Sequence, residues 1–318
     1  MTSIPFSRYS PTQLRQLTGG ITVSPNLTFE SPSKEISRLN DNRGRISLSG
    51  AQSKYSVVIR DGRFQLTEDG EQGTHILKPA ITDFEHCTDS PANEHLTMQI
   101  AEHIFHIETA ANALCFFKNG DAAYITRRYD VASDGTKIQQ EDFASLGGIS
   151  KDRYGSDYKY TALSYEDIGH LIKRFIPAWR IEMVKYFDLI LFNFLFSNGD
   201  AHLKNFSVVK NIGGDYKLAP AYDLIDTQIH LPGDSIFALQ KGLFADGRTF
   251  PLGIGNKDFH AFGIALGIPE RIVTKEMERF TADYPEIESM VNASFLSEES
   301  KQNFYSHYHT RLVSFLRA

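Results

Sequence analysis

The sequence predicts an α+β protein of two lobes, strand-rich at the N-terminus and helical at the C-terminus. Short β-branched and aromatic runs punctuated by turn dipeptides fill the first half, and longer helical periodicities fill the second. Between them the chain turns polar at Asp130-Val-Ala-Ser-Asp-Gly-Thr-Lys137, the expected boundary of lobes at 1–130 and 131–318. At 318 residues, 41% hydrophobic and 23% charged, the chain has globular proportions, which excludes disordered and fibrous classes.

Residues 1–45 read as loops with one short helix over Pro11–Leu17. Tyr55–Ile59 reads as a strand, Asp61-Gly62 as a turn, and Arg63–Thr67 as the returning strand of a hairpin. Thr74–Lys78 is a third strand, stopped by Pro79. Ser90-Pro91 reads as an N-cap followed by a first-turn proline, and Leu96, Ile100 and Ile104 then recur at helical spacing. Ala122–Thr126 is a further strand. In the second half, Ser164 caps a helix to Phe175 that carries Glu166 and Asp167 in its first turn. A buried helix covers Ile181–Phe196. A hairpin spans Asn205–Asp223 with Gly213-Gly214 at its tip, and helices follow near Glu270–Phe280 and Lys301–Leu316.

Several function classes are disfavoured. Lys+Arg 33 against Asp+Glu 39 gives a net charge of −6, a poor balance for direct nucleic-acid binding. Cys87 and Cys115 are too few for a disulfide framework or a cysteine-rich zinc site and fit a reducing compartment. The N-terminus has no signal-peptide pattern. The most apolar stretch, Tyr186–Phe196, contains Asp188 and Asn193 and is too short to span a membrane. His103-x-x-His106 and His307-Tyr-His309 lack further ligands and read as solvated helical histidines.

The segment Asn198-Gly-Asp-Ala-His-Leu-Lys-Asn205 carries the chemistry. Phosphoryl transfer needs a carboxylate to orient the attacking hydroxyl and oxygen ligands for Mg²⁺ near the transferred group. Asp200 and Asn205 supply both, at the Asp-x-x-x-x-Asn spacing of a kinase catalytic loop. Strand pairing about the glycine tip brings Asn205 beside Asp223, so the two can share the metal. Individually, these three are ordinary turn residues; their order on a loop and hairpin favours a protein-kinase-like fold. Lys78, ending a strand, suits the α- and β-phosphates, and Glu94 in the next helix is placed to pair with it. The sequence contains neither Gly-x-x-x-x-Gly-Lys-[Ser/Thr] nor Gly-x-Gly-x-x-Gly, and Gly253-Ile-Gly255 reads as a turn. The phosphate loop is instead expected in Ser47-Leu-Ser-Gly-Ala-Gln-Ser-Lys54, whose small residues admit backbone N–H groups to a phosphate.

Four segments together resemble the HipA-like serine/threonine kinases, toxins of bacterial toxin–antitoxin systems. They are Ile46–Gln52, Asn93-Glu94, Gln140-Glu141-Asp142, and Gly199–Ser207 running on to Tyr222-Asp223. The resemblance implies Asp200 as catalytic base, with Asn205 and Asp223 holding Mg²⁺. It implies ATP contacts from Ser49, Gly50, Ala51, Gln52, Ser53, Lys54 and Lys78 at the phosphates. A hinge of Arg127, Arg128 and Tyr129, with His202, Leu203, Lys204 and Tyr222, completes the nucleotide site. Arg127 stands where the family usually has glutamate. Autophosphorylation is implied at Ser47 and Ser49. With only 46 residues ahead of Ser47, the chain is similar to the short HipT type of three-gene systems. That likeness implies a HipS-like partner supplying a missing subdomain, a HipB-like DNA-binding antitoxin, and an aminoacyl-tRNA synthetase as substrate in the bacterial cytoplasm. The competing readings are a small-molecule kinase of the aminoglycoside or choline type and a pseudokinase binding module. The serine-rich loop and Gln140-Glu141-Asp142 argue against the first, and the intact Asp200, Asn205 and Asp223 against the second.

Overall fold

In a computed structural model, the structure describes residues 9, 11–31, 52–211, 213–248, 250 and 253–317. A short helix α1 (Pro11–Thr18) precedes a five-stranded antiparallel sheet of order β2-β1-β3-β5-β4. Its strands are β1 (Tyr55–Arg60), β2 (Arg63–Leu66), β3 (His75–Pro79), β4 (Asn112–Phe116) and β5 (Ala122–Arg127). Arg60 pairs with Arg63 across the expected tight turn. Asp61 and Gly62 both take positive φ there, at 51° and 67°, the geometry whose twist matches a two-residue hairpin.

Helix α2 (Ser90–His103) crosses from β3 to β4. Its N-cap is Asp89 rather than the expected Ser90. The Ser90 hydroxyl instead accepts the Ile81 N–H and donates to the Cys87 carbonyl, tying the incoming chain to the helix start. Leu96 and Ile100 are buried as their spacing demands, but so are Asn93, Glu94, Thr97 and Met98 on other faces. The helix is enclosed nearly all round. Strand β4 was not anticipated, because all five of its residues are buried and the alternation that marks a half-buried strand is missing.

The helical part begins with β6 (Gln140–Asp142) and three one-turn helices, α3 (Phe143–Leu146), α4 (Lys151–Tyr154) and α5 (Tyr158–Thr161). Helix α6 (Tyr165–Phe175) has the capping box its sequence promised. The Ser164 hydroxyl accepts the Asp167 N–H at 3.1 Å, and the Asp167 carboxylate accepts the Ser164 N–H at 2.9 Å. Helix α7 (Trp179–Leu195) is the buried one. The expected hairpin, β7 (Ser207–Lys210) and β8 (Tyr216–Leu218), gains β6 as a third strand in the order β6-β7-β8. Four helices end the chain: α8 (Asn256–Ala265), α9 (Glu270–Phe280), α10 (Pro285–Ala293) and α11 (Glu298–Arg317). Gly253-Ile-Gly255 leads into α8, where Gly255 is the N-cap. Among the described residues, no helix is long and apolar enough to cross a membrane.

Two cores hold the molecule. The smaller, with Val57, Phe64, Leu77 and Ile125, lies under the sheet with α1. The larger runs through the helical part and takes in Leu96, Met98 and Ile100 of α2 and Phe105 just beyond it. Phe105 stacks on Phe280 with centroids 4.7 Å apart and meets Phe192, Phe196 and Tyr284 edge-on. Helix α2 is therefore anchored in the same core as the helices below the sheet. Truncation of Phe105 to alanine should cost about 3–5 kcal/mol, read by urea denaturation.

His75 ties α1 to the sheet. Its Nε2 donates to the Leu17 carbonyl at 2.8 Å and its Nδ1 accepts from the Thr74 hydroxyl at 2.8 Å, so the ring is neutral. Burial pushes its pKa down to about 4. Between the ordinary histidine value near 6.5 and 4, only the unfolded chain takes up this proton, so stability falls as the pH falls through that window. We expect His75 to account for about 2 kcal/mol of the stability lost between pH 7 and pH 5. His75→Gln should flatten that slope in parallel denaturation curves; an unchanged slope would refute it.

Candidate active site

The loop between α7 and β7 is built to hold one carboxylate still. Ser197 turns the chain at φ 52°. The Asn198 side-chain amide donates to Asn193 at 2.9 Å and to the Asp223 carbonyl at 3.3 Å, and its Oδ1 accepts the Asp200 N–H at 3.3 Å. A β-carbon on Gly199 would lie 2.3 Å from the Asp234 carboxylate and 2.5 Å from the Ser235 carbonyl, so only glycine permits this approach. Asp200 itself is buried, and the Tyr160 hydroxyl donates to its Oδ1 at 3.0 Å. Tyr165 donates to the Ala201 carbonyl, and the Leu203 N–H bonds the Lys159 carbonyl.

Asn205 and Asp223 meet at the base of the hairpin, as expected. The Asn205 amide donates to Asp223 Oδ2 at 3.3 Å. Asn205 Oδ1 is buried with no hydrogen-bond partner, and an unmatched buried carbonyl costs stability. An amide oxygen and a carboxylate side by side are the hard oxygen donors Mg²⁺ prefers, so these residues fit that ion. Among the described residues, no cluster of three His, Cys, Asp or Glu offers another metal site.

Lys78 on β3 donates to Glu94 Oε1 on α2 at 2.5 Å and to Asp223 Oδ1. Burial works against the ammonium, but Asp223 and Glu94 outweigh it and hold Lys78 charged. Glu94 is as deeply buried, and burial lifts its carboxyl to about 7 against the pull of Lys78. Lys54 approaches Asp223 Oδ2 at 3.6 Å from the strand side.

These groups border a cavity of about 540 Å³. Lys54, Lys78, Arg127, Arg128, Tyr129, His202, Lys204, Asn205, Tyr222 and Asp223 all line it, ten of the sequence-derived candidates. Tyr129 and Tyr222 stack at 5.6 Å, and Tyr222 is fixed by hydroxyl contacts to Ser207 and the Lys204 carbonyl. The Arg127 guanidinium is turned outward to the Gln16 carbonyl, and that of Arg128 is paired with Asp130. Burial lowers the His202 pKa to about 3, so its ring is neutral.

Other candidates lie elsewhere. The Leu203 side chain is fully buried in the larger core, which leaves its backbone as the part near the cavity. The Gln52 amide donates to the Pro79 carbonyl, and Ser53 is exposed; neither lines the cavity. Ser47, Ser49, Gly50 and Ala51 lie outside the described residues. The sequence reading missed Ile76, Ala110, Thr126, Asp130, Gln140, Tyr158 and Lys159 in the lining and Tyr160 behind Asp200. Lys159 and Tyr160 sit some forty residues before Asp200, and no local spacing announces a contact made only by folding. His307 is not simply solvated: its Nδ1 meets the buried Asp226 carboxylate at 2.8 Å.

The model of the HipA-like C-terminal domain matches residues 46–287. The chain belongs to that family. It is 35% identical over 188 residues to a kinase candidate of Sinorhizobium fredii, Y4mE, a match covering 58% of this chain and 43% of that one. It is 23% identical to the serine/threonine-protein kinase toxin HipA of Shewanella oneidensis, over 90% of this chain and 66% of the toxin. These matches span less than two thirds of either relative. The solved structure of Shewanella HipA with HipB and its operator DNA superposes with a TM-score of 0.67 at 22% identity, over 90% of this chain and 68% of that one. The fold is thus that of a HipA kinase, with the curled antiparallel sheet set against a helical part.

In this HipA-family chain, α2 is clamped to the segment after Asp223. The Asn93 amide donates to the Asp226 carbonyl at 2.8 Å, and its Oδ1 accepts the Asp226 N–H at 3.1 Å. Asn93→Ala strands both buried backbone groups and should cost about 2–3 kcal/mol in a denaturation measurement.

Proposed function

We propose that this protein is an ATP-dependent serine/threonine kinase of the HipA toxin type. The observation that carries the reading is the meeting of Lys78, Asn205 and Asp223 at one cavity, with Asp200 buried just behind the lining residues Lys159 and His202 and held by Tyr160. Asp200 accepts the proton of the attacking hydroxyl while Tyr160 fixes its orientation. Asn205 and Asp223 hold Mg²⁺, which when bound offsets charge on the phosphates. Lys78, kept charged and oriented by Glu94, takes the α- and β-phosphates. Tyr129 and Tyr222 flank the nucleotide beside the hinge. The lobes divide at residues 130 and 131.

The family's chemistry extends the proposal to the cell. The acceptor is a serine of an aminoacyl-tRNA synthetase in the bacterial cytoplasm, and its modification stalls translation. Arg127-Arg128-Tyr129-Asp130 and the Ser47/Ser49 pair support the HipT type, with a HipS-like protein and a HipB-like antitoxin as partners, as HipB accompanies Shewanella HipA. The loop serines Ser47 and Ser49 accept phosphate in autophosphorylation. A phosphoserine there carries about −1.5 to −2 charge and repels the phosphates of ATP.

Labelled ATP and Mg²⁺ with a panel of purified synthetases tests this directly, with transfer to one synthetase expected. Asp200→Asn should abolish transfer and leave nucleotide binding measurable, since Asp200 orients the hydroxyl rather than the nucleotide. Asp223→Asn should weaken Mg²⁺-dependent ATP binding more than Asp200→Asn does. Full transfer by Asp200→Asn would remove the assignment.

A further inference from the structure

Four lysines line the cavity: Lys54, Lys78, Lys159 and Lys204. Three of them stand against carboxylates that have other duties. Lys78 is held by Glu94 and Asp223, Lys54 approaches Asp223, and Lys204 approaches Asp142 at 3.6 Å. Lys159 lies next to the catalytic loop, within the fields of Asp200, Lys204 and Lys54. It sits on the short helix α5, whose position is set by its own carbonyl accepting the Leu203 N–H at 3.2 Å. Its ammonium lies 4.9 Å from the centroid of the Tyr160 ring, and the hydroxyl of that ring holds Asp200. Burial weakens its hold on the proton, and the Asp200 carboxylate acts in the opposite sense.

We propose that Lys159 binds the transferred γ-phosphoryl group and stabilises the charge on it in the transition state. The proposal rests on the kinase reading above. In the transfer, the acceptor oxygen forms a bond to the γ-phosphorus while the bond to the β–γ bridging oxygen breaks. The electron pair leaves on ADP, and the hydroxyl proton goes to the Asp200 carboxylate. Charge spreads over the equatorial γ-oxygens, between the base and the departing ADP. A cation beside Asp200 that lines the same cavity as Lys78 is placed to meet those oxygens from the side of the base. It stands in a partly desolvated site, where a fixed charge acts more strongly than in water. The Tyr160 ring serves both groups at once: its face supports the ammonium and its hydroxyl orients the base.

Calorimetric binding of Mg-ADP alone and of Mg-ADP with aluminium fluoride, a mimic of the phosphoryl group in flight, tests the assignment. Wild type should bind the second combination more tightly than the first. Lys159→Met should keep ADP affinity within about twofold, lose most of the aluminium fluoride enhancement, and lower the single-turnover rate about 10²-fold. Lys159→Arg should recover part of both. A full enhancement in Lys159→Met, or an equal loss of ADP affinity and enhancement, overturns the proposal. If Lys159→Met lacks a cooperative unfolding transition, Lys159→Gln and Lys159→Arg decide on the same readouts. Wild type that binds no Mg-ADP would instead bring down the kinase reading itself, a result distinct from failure at Lys159.

Discussion

The ammonium of Lys78, set between Glu94 and Asp223, is the contact on which the rest of the site depends. It joins β3, α2 and the chain leaving the hairpin, elements that begin far apart in sequence. Asp223 is shared between the buried Lys78 ammonium and the more exposed Lys54 ammonium, while burial makes the Glu94 carboxylate costly to keep charged. Buried charges of this kind persist only when each is paired. Asn205, with its buried unpartnered carbonyl, points to the same requirement from the next residue over. The arrangement is poised for a divalent ion and for phosphates, and much less suited to a neutral ligand.

Helix α2 must not move if that geometry is to last, and the structure fixes it at several levels. The Ser297 hydroxyl donates to Asp89 at the helix start. Asn93 pairs with the Asp226 backbone, and Asn93 also meets His230. Phe105, just past the helix end, stacks into the aromatic core below. The resulting rigidity is paid for by burying polar groups, and nearly all are matched, which makes the network specific as well as stable.

Both ends of the described chain brace the centre. Near the N-terminus, α1 is held by His75 from β3 and by Arg127 at the end of β5. At the C-terminus, His307 on α11 meets Asp226, and Arg311 donates to the Ser197 hydroxyl where the loop carrying Asp200 begins. The matched family region ends at residue 287, ahead of α11. The C-terminal helix thus supports the loop from outside the domain's own limits.

Much of the architecture was legible because it is local. The Asp61-Gly62 turn, the Ser164 capping box and the Gly213-Gly214 hairpin each follow from backbone preferences within a few residues. The nearness of Asn205 to Asp223 followed too, since a hairpin brings the residues just beyond its paired strands to one end, although the strict register sets Asn205 against Ala221. Strand β4 was not legible, because a strand buried on both faces loses its alternation, and β6 is too short to show any. The outward turn of Arg127, the core position of Leu203 and the His307–Asp226 pair depend on which surfaces meet after folding. The sequence by itself determined the local elements and the order in which the candidate groups come. Only the tertiary structure decided that Tyr160 and Lys159 stand beside Asp200, because that contact is made by packing one short helix against a loop some forty residues further on.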